Sequence, residues 1–148
     1  MIIGLQHLHS GLRYVVLLFL VISIVVAFVG RNKGSFKGLK TVALVAMASA
    51  HLQLVIGLAL YFLKNWHLAF AVEGFMKAPH TRFFAVEHLT MMLLAIILIT
   101  VGYSSAKRMT DAVRQHRRIL VFYLVALVLI FASIPWPFRT DLGYYGWF

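Results

Sequence analysis

Four long apolar runs, separated by short polar segments, set the pattern of the chain; they cover residues 5–29, 41–63, 83–104 and 119–138 approximately. Each run reaches the length of about 20 residues at which an α-helix, rising about 1.5 Å per residue, crosses about 30 Å of hydrocarbon. Because hydrocarbon cannot hydrogen-bond to an open backbone, each run is expected to be helical. Short connections place sequence neighbours antiparallel. The pattern therefore predicts an all-α integral membrane protein, with residues 1–148 forming one domain that is an antiparallel four-helix transmembrane bundle.

Composition supports this class and excludes a soluble enzyme. Hydrophobic residues make up 62% of the chain and charged residues only 12%, whereas soluble domains average about 45–50% and about 25%. The chain has no cysteine, which excludes a disulfide scaffold and a metal ion held by thiolates.

Basic residues concentrate in two of the three connections. The segments 30–40 and 105–118 hold nine of the 14 Lys and Arg residues: Arg31, Lys33, Lys37, Lys40, Lys107, Arg108, Arg114, Arg117 and Arg118. The positive-inside rule places both segments in the cytoplasm and both termini outside, in a multi-pass protein of the bacterial cytoplasmic (inner) membrane. The net charge of +10 then reflects the membrane topology, and the basic residues that produce it contact anionic lipid. No nucleic-acid partner is expected, because these segments carry no recognisable binding motif.

A few polar side chains lie inside the predicted spans: His9 and Arg13 in the first, His51 and Gln53 in the second, Glu87 and His88 in the third. Ionisable groups are costly at membrane depth and by default mark a site or an internal pair. Counting about 1.5 Å per residue from the outer span ends places His9 and His88 at nearly the same depth. The same count places His51 about 10 Å deeper.

Two histidines at one depth on antiparallel helices can bind a haem iron from its two faces. His9 and His88 are therefore candidate axial ligands, with His51 as the alternative. Arg13, one turn from His9, and Arg82, at the start of the third span, are candidate partners for the haem propionates, since Arg pairs well with carboxylates.

Glu87 is a candidate acceptor for the second ring proton of a histidine ligand. The same residues also fit a structural polar cluster in which Arg13 pairs with Glu87, in an accessory membrane subunit without cofactor. A third interpretation is an oxidoreductase that handles a quinone or a porphyrin and transfers protons through His51, Glu87 and His88. Whether the protein is an enzyme stays open at this point.

One string in each span carries a family resemblance: residues 8–13 (LHSGLR), 52–58 (LQLVIGL), 82–88 (RFFAVEH) and 133–139 (SIPWPFR). Together they resemble a group of small bacterial four-helix membrane proteins described as cytochrome b-like.

The resemblance implies haem b with His9 and His88 as axial ligands, and Trp136, in the last string, is a candidate cofactor contact. It also implies single-electron transfer near the external face of the membrane. Because one haem near one surface cannot carry electrons across about 30 Å of bilayer, the expected partners are a quinone pool or a larger respiratory complex. A homo-oligomer is left open.

Overall fold

The computed structural model describes residues 2–32 and 35–143, so Lys33 lies outside the described residues. Over these ranges the chain is all-α and contains no strand. Its four long helices are α1 (Ile2–Gly30), α2 (Lys37–Leu63), α3 (Pro79–Arg108) and α4 (Ala112–Ala132), and all four are long and apolar enough to cross a membrane. The predicted fold class, a four-helix transmembrane bundle, is confirmed.

The helices pack in a ring. α1 packs against α2 and α4, and α3 packs against the same two helices, so α1 and α3 face each other across a diagonal. Small side chains at the centre allow close approach of the backbones, as in other membrane bundles. Seven alanines are buried there: Ala27, Ala43, Ala46, Ala50, Ala95, Ala106 and Ala126.

The two ends of the bundle differ. The start of α1, the end of α2, the start of α3 and the end of α4 share one end, which we call the terminus end. The opposite end, which we call the basic end, carries the connections from α1 to α2 and from α3 to α4. In the basic half the Tyr123 hydroxyl on α4 donates to the Ala43 carbonyl on α2, at 2.8 Å. This bond crosses the second diagonal and braces that half of the bundle.

α4 begins at Ala112, earlier than the predicted span, because Asp111 caps it. The Asp111 carboxylate accepts hydrogen bonds from the backbone N–H groups of Val113 (2.8 Å) and Arg114 (3.4 Å). An aspartate in this position satisfies donors that have no partner within the helix. The helix thus begins within a segment rich in basic residues, and a search for apolar runs does not include this segment in the predicted span.

α4 ends at Ala132, earlier than the predicted end at residue 138. Pro135 and Pro137 have no backbone N–H and cannot continue the helical hydrogen-bond pattern. The chain beyond Ala132 turns instead, and Trp136 N–H donates to the Ile134 carbonyl at 2.9 Å.

α3 starts irregularly. A first α-helical turn, Pro79–Arg82, leads into a π-helical turn, Phe83–Glu87, before regular α-helix continues from His88. The Tyr61 hydroxyl of α2 donates to the Ala85 carbonyl within the π turn, at 3.2 Å. A π turn inserts an extra residue into a helix and is frequent at functional sites. Here it directly precedes His88.

Candidate functional site

The imidazoles of His9 and His88 face each other across the diagonal between α1 and α3. Their ring centroids are 6.4 Å apart, and the ring planes are inclined at 70°. Two imidazole nitrogens that bind one metal ion from opposite sides, at about 2 Å each, place the ring centroids about 6 Å apart. The pair that the sequence predicts at one depth is therefore brought together, at a separation that suits a shared metal ion.

The ring of His88 is oriented by the end of α4. Its Nδ1 lies 2.8 Å from the Ser133 carbonyl oxygen, and because a carbonyl only accepts, Nδ1 carries the proton. The Nε2 lone pair is then available to a ligand. The Ser133 carbonyl is free because its partner in a continued helix would be the N–H of residue 137, which is Pro137 and has none.

Pro135 frees a second carbonyl in the same way. The partner of the Phe131 carbonyl in a continued helix would be the N–H of residue 135. The indole Nε1 of Trp136 donates to that carbonyl instead, at 2.9 Å. The Trp136 ring lies 6.0 Å from the guanidinium carbon of Arg13, so Trp136 reaches the site through Arg13.

Glu87 and Arg82 bind each other, which corrects the roles expected for both. The Arg82 Nε donates to Glu87 Oε1 at 2.6 Å, and Arg82 also donates to the Met76 carbonyl at 3.1 Å. Their five-residue separation matches the i to i+5 period of the π turn. Glu87 therefore does not accept the Nδ1 proton of His88, because the Ser133 carbonyl has that position. Arg82 does not line the cavity that contains the two histidines.

The ring of His9 lies against α2 where that helix has no side chain. A Cβ placed on Gly57 would be 3.0 Å from Cε1 of His9. One turn away, the Gln53 side-chain amide donates to the His9 backbone carbonyl at 2.8 Å. α2 thus holds both the backbone and the ring of His9.

Two polar atoms at this position have no hydrogen-bond partner among the described residues: Nδ1 of His9 and Oε1 of Gln53, both buried. Leaving such an atom unsatisfied costs about 1–3 kcal/mol. Buried polar atoms in this state often belong to sites that take a ligand, an ion or water. The donor set therefore suits a group that binds at His9.

A cavity of about 170 Å³ surrounds the histidine pair in the terminus half of the bundle, and all four helices contribute to its wall. Its polar lining includes His9, Arg13, Gln53, Lys64 and His88. The cavity is partly open and smaller than the 300–1,000 Å³ or so of pockets that enclose whole ligands. A larger ligand is therefore enclosed only in part.

The mouth of the cavity carries a hydrogen bond between α1 and the end of α2. Lys64 Nζ donates to Gln6 Oε1 at 2.6 Å. Deeper in the cavity, Nη2 of Arg13 donates to the Tyr14 hydroxyl at 3.3 Å. Both cations thus line the cavity, Arg13 from α1 and Lys64 from the end of α2.

His51 is separated from this site. Its side chain is exposed on α2 and does not line the cavity. The Nδ1 of His51 donates to the Met47 carbonyl at 2.8 Å, and its Nε2 lies 3.4 Å from Oγ1 of Thr100. The structure thus does not group His51 with His9 and His88.

Several contributors to the site are absent from the set predicted from the sequence: Gln6, Gly57, Lys64 and Ser133. A signal for Ser133 exists, because a proline four residues after a carbonyl removes its helical donor. A glycine within an apolar span, such as Gly57, similarly indicates close packing of a neighbour.

Among the described residues, no group of three His, Asp or Glu side chains converges in a way that could hold a metal ion. The facing imidazoles described above are those of two residues, His9 and His88. Comparison of the chain with protein-family models, with curated proteins and with solved structures gives no match.

Proposed function

We propose that this protein is a b-type cytochrome of the cytochrome b-like group that its motifs resemble, with His9 and His88 as the axial ligands of haem b. The observation that carries the proposal is the facing pair of imidazoles at 6.4 Å, in a cavity where the protein supplies two ligands. A b-type haem held by two histidines would take both of its protein ligands from this pair and would bring its own four ring nitrogens.

The residues around the pair support axial ligation. The Ser133 carbonyl fixes the proton of His88 at Nδ1, an arrangement typical of metal-bound histidines that also raises the basicity of the ligand. Nδ1 of His9 is buried and has no partner among the described residues. The absent side chain at Gly57 gives the His9 ring its place.

When bound, haem b supplies a one-electron couple between ferric and ferrous iron. The chain's own residues bind the iron, hold the His88 proton at Nδ1 and exclude water. Water is excluded by apolar residues of the cavity wall, among them Val16, Leu54, Met92 and Ile96.

The charge distribution supports an orientation with the terminus end outside. Nine of the 14 basic residues lie in segments 30–40 and 105–118, which form the connections and the adjoining helix ends of the basic end. The positive-inside rule assigns these segments to the cytoplasm. The histidine pair then lies near the external face of the bacterial cytoplasmic membrane. A single haem at that depth exchanges electrons with a quinone pool or a respiratory complex, because the full bilayer is too wide for it to cross alone.

The visible spectrum of the purified protein, oxidised and dithionite-reduced, tests the proposal. We expect a low-spin bis-histidine spectrum that His9→Ala and His88→Ala each abolish or convert to a five-coordinate form. His51→Ala and Glu87→Gln are the matched controls and should leave it low-spin, since neither side chain touches the pair.

Two results would contradict the proposal. A preparation that stays colourless after supplementation with haem would favour the accessory subunit without cofactor. Loss of the low-spin signature in His51→Ala, with its retention in His9→Ala or His88→Ala, would place the iron elsewhere.

A further inference from the structure

The charged side chains that line the cavity are all positive among the described residues. Arg13 and Lys64 line it, and none of its described lining residues is Asp or Glu. Glu87, next to His88 in the chain, is already engaged by Arg82 at 2.6 Å. Two positive charges at one cavity attract an anionic group at short range. The cavity therefore favours an anionic ligand over a neutral one.

The two cations are placed to act on one ligand together. Lys64 reaches from the end of α2 to Gln6, three residues before His9. Arg13 lies one turn beyond His9, but side chains on a helix lean toward its N-terminus. The start of α1 is at the terminus end, and the Arg13 guanidinium carbon accordingly lies within 6.0 Å of the Trp136 ring, which follows the end of α4.

Gln6, the present hydrogen-bond partner of Lys64, competes only weakly with an anionic ligand for the Lys64 ammonium group. Gln6 offers a neutral amide oxygen at an exposed position. A carboxylate oxygen is the stronger acceptor, because it adds the attraction between opposite charges to the hydrogen bond from the ammonium group. Exchange of Gln6 for a ligand carboxylate at Lys64 is therefore favourable.

We infer that the cavity selects a ligand with two carboxylates and binds one of them at Lys64 and the other at Arg13. The inference rests on the proposed function, in which these carboxylates are the two haem propionates. It replaces Arg82 by Lys64 as the second cation of the site.

The test compares haem with its dimethyl ester, in which both propionates are neutral, by absorbance titration of haem-free protein in detergent. We expect the wild-type protein to bind haem at least about tenfold more tightly than the ester, as charge-assisted hydrogen bonds imply. Lys64→Gln and Arg13→Gln should each bring that ratio toward one. Arg13→Lys should preserve most of it.

Lys77→Gln is the matched control, because Lys77 is an exposed cation at the same end that does not line the cavity. Its ratio should equal that of the wild-type protein. Equal binding of haem and ester by the wild-type protein would overturn the inference while leaving the proposed function intact, and this comparison needs no variant to fold. A ratio that falls as far in Lys77→Gln as in Lys64→Gln would also overturn it. If neither porphyrin binds, the proposed function fails together with the inference.

Discussion

Two residues orient the imidazoles through their backbones and not through a side-chain group. Gly57 leaves space for the His9 ring, and Ser133 offers a backbone carbonyl to Nδ1 of His88. Neither contact involves a charge, so neither depends on the ionic strength around the bundle. The positions of the rings are set by backbone shape on α2 and α4.

Gly57→Ala tests the packing of the His9 ring. Overpacking costs about 1–3 kcal/mol, while alanine gains up to about 1 kcal/mol over glycine within a helix. We expect the free energy of unfolding to fall by up to about 2 kcal/mol and haem affinity to fall with it, measured by thermal unfolding in detergent and by absorbance titration.

Gly11→Ala is the control for Gly57→Ala. Gly11 is also within a helix, but a Cβ placed there meets nothing within 4 Å. This variant should keep haem affinity and gain stability from helix propensity alone. Equal haem affinity in the two variants would contradict the role assigned to Gly57.

The depth of the histidines was predictable, whereas the partners of Glu87 were not. A constant rise per residue places His9 and His88 level, because each lies four or five residues after the outer start of its predicted span and the first and third helices run parallel. Glu87 lies five residues after Arg82, a spacing that separates side chains on an α-helix and aligns them only on a π turn. That turn is tied to a tertiary contact, the bond from Tyr61 to Ala85, which local sequence does not reveal.

At the scale of the element, the termini of α3 and α4 contribute more to the site than their centres do. The π turn of α3 precedes His88, and the proline-rich exit of α4 supplies the acceptor for its ring. Apolar length predicts all four helices because hydrocarbon leaves the backbone no alternative. It predicts their ends poorly, since Asp111 extends α4 at one end and Pro135 and Pro137 shorten it at the other.

The double variant Pro135→Ala, Pro137→Ala tests the origin of the free carbonyl. With both prolines replaced, α4 can continue past Ala132, and the N–H of residue 137 then competes with His88 for the Ser133 oxygen. A weaker bond at Nδ1 makes His88 a poorer donor to ferric iron. We expect the reduction potential of the haem to rise by up to about 60 mV, which for a one-electron couple is a tenfold change in relative affinity. Redox titration followed by absorbance measures it. Pro79→Ala, at the start of α3, is the comparison and should leave the potential unchanged; an equal shift in both variants would refute the mechanism.

Asp111→Ala tests the start of α4. Loss of the cap leaves the N–H groups of Val113 and Arg114 without their acceptor, at a cost of about 0.5–2 kcal/mol. The expected result is a lower unfolding temperature with an unchanged haem spectrum, because the cap is at the basic end. Thr110→Ala, one residue earlier, should change neither quantity. A change in the spectrum of Asp111→Ala would show that the two ends are coupled.

For the molecule as a whole, the proposed orientation in the membrane rests on the segregation of cations to the basic end. Because the chain has no cysteine, single cysteines introduced by Ser35→Cys, Ala78→Cys and Ala112→Cys report on it directly. With a membrane-impermeant thiol reagent on intact cells, we expect labelling at position 78 and none at positions 35 and 112. Lysed cells provide the control for reactivity, and the opposite pattern would reverse the orientation.

The contribution of all four helices to one cavity also sets the order of events during biosynthesis. His9 leaves the ribosome with the first helix, but the Ser133 carbonyl that orients His88 follows the last one. A nascent chain that has inserted only α1 and α2 holds Gly57 against His9 and has no opposing imidazole. We therefore expect the full set of contacts to a ligand in this cavity to form only after the fourth helix has left the translocon, so that ligand binding is completed after membrane insertion.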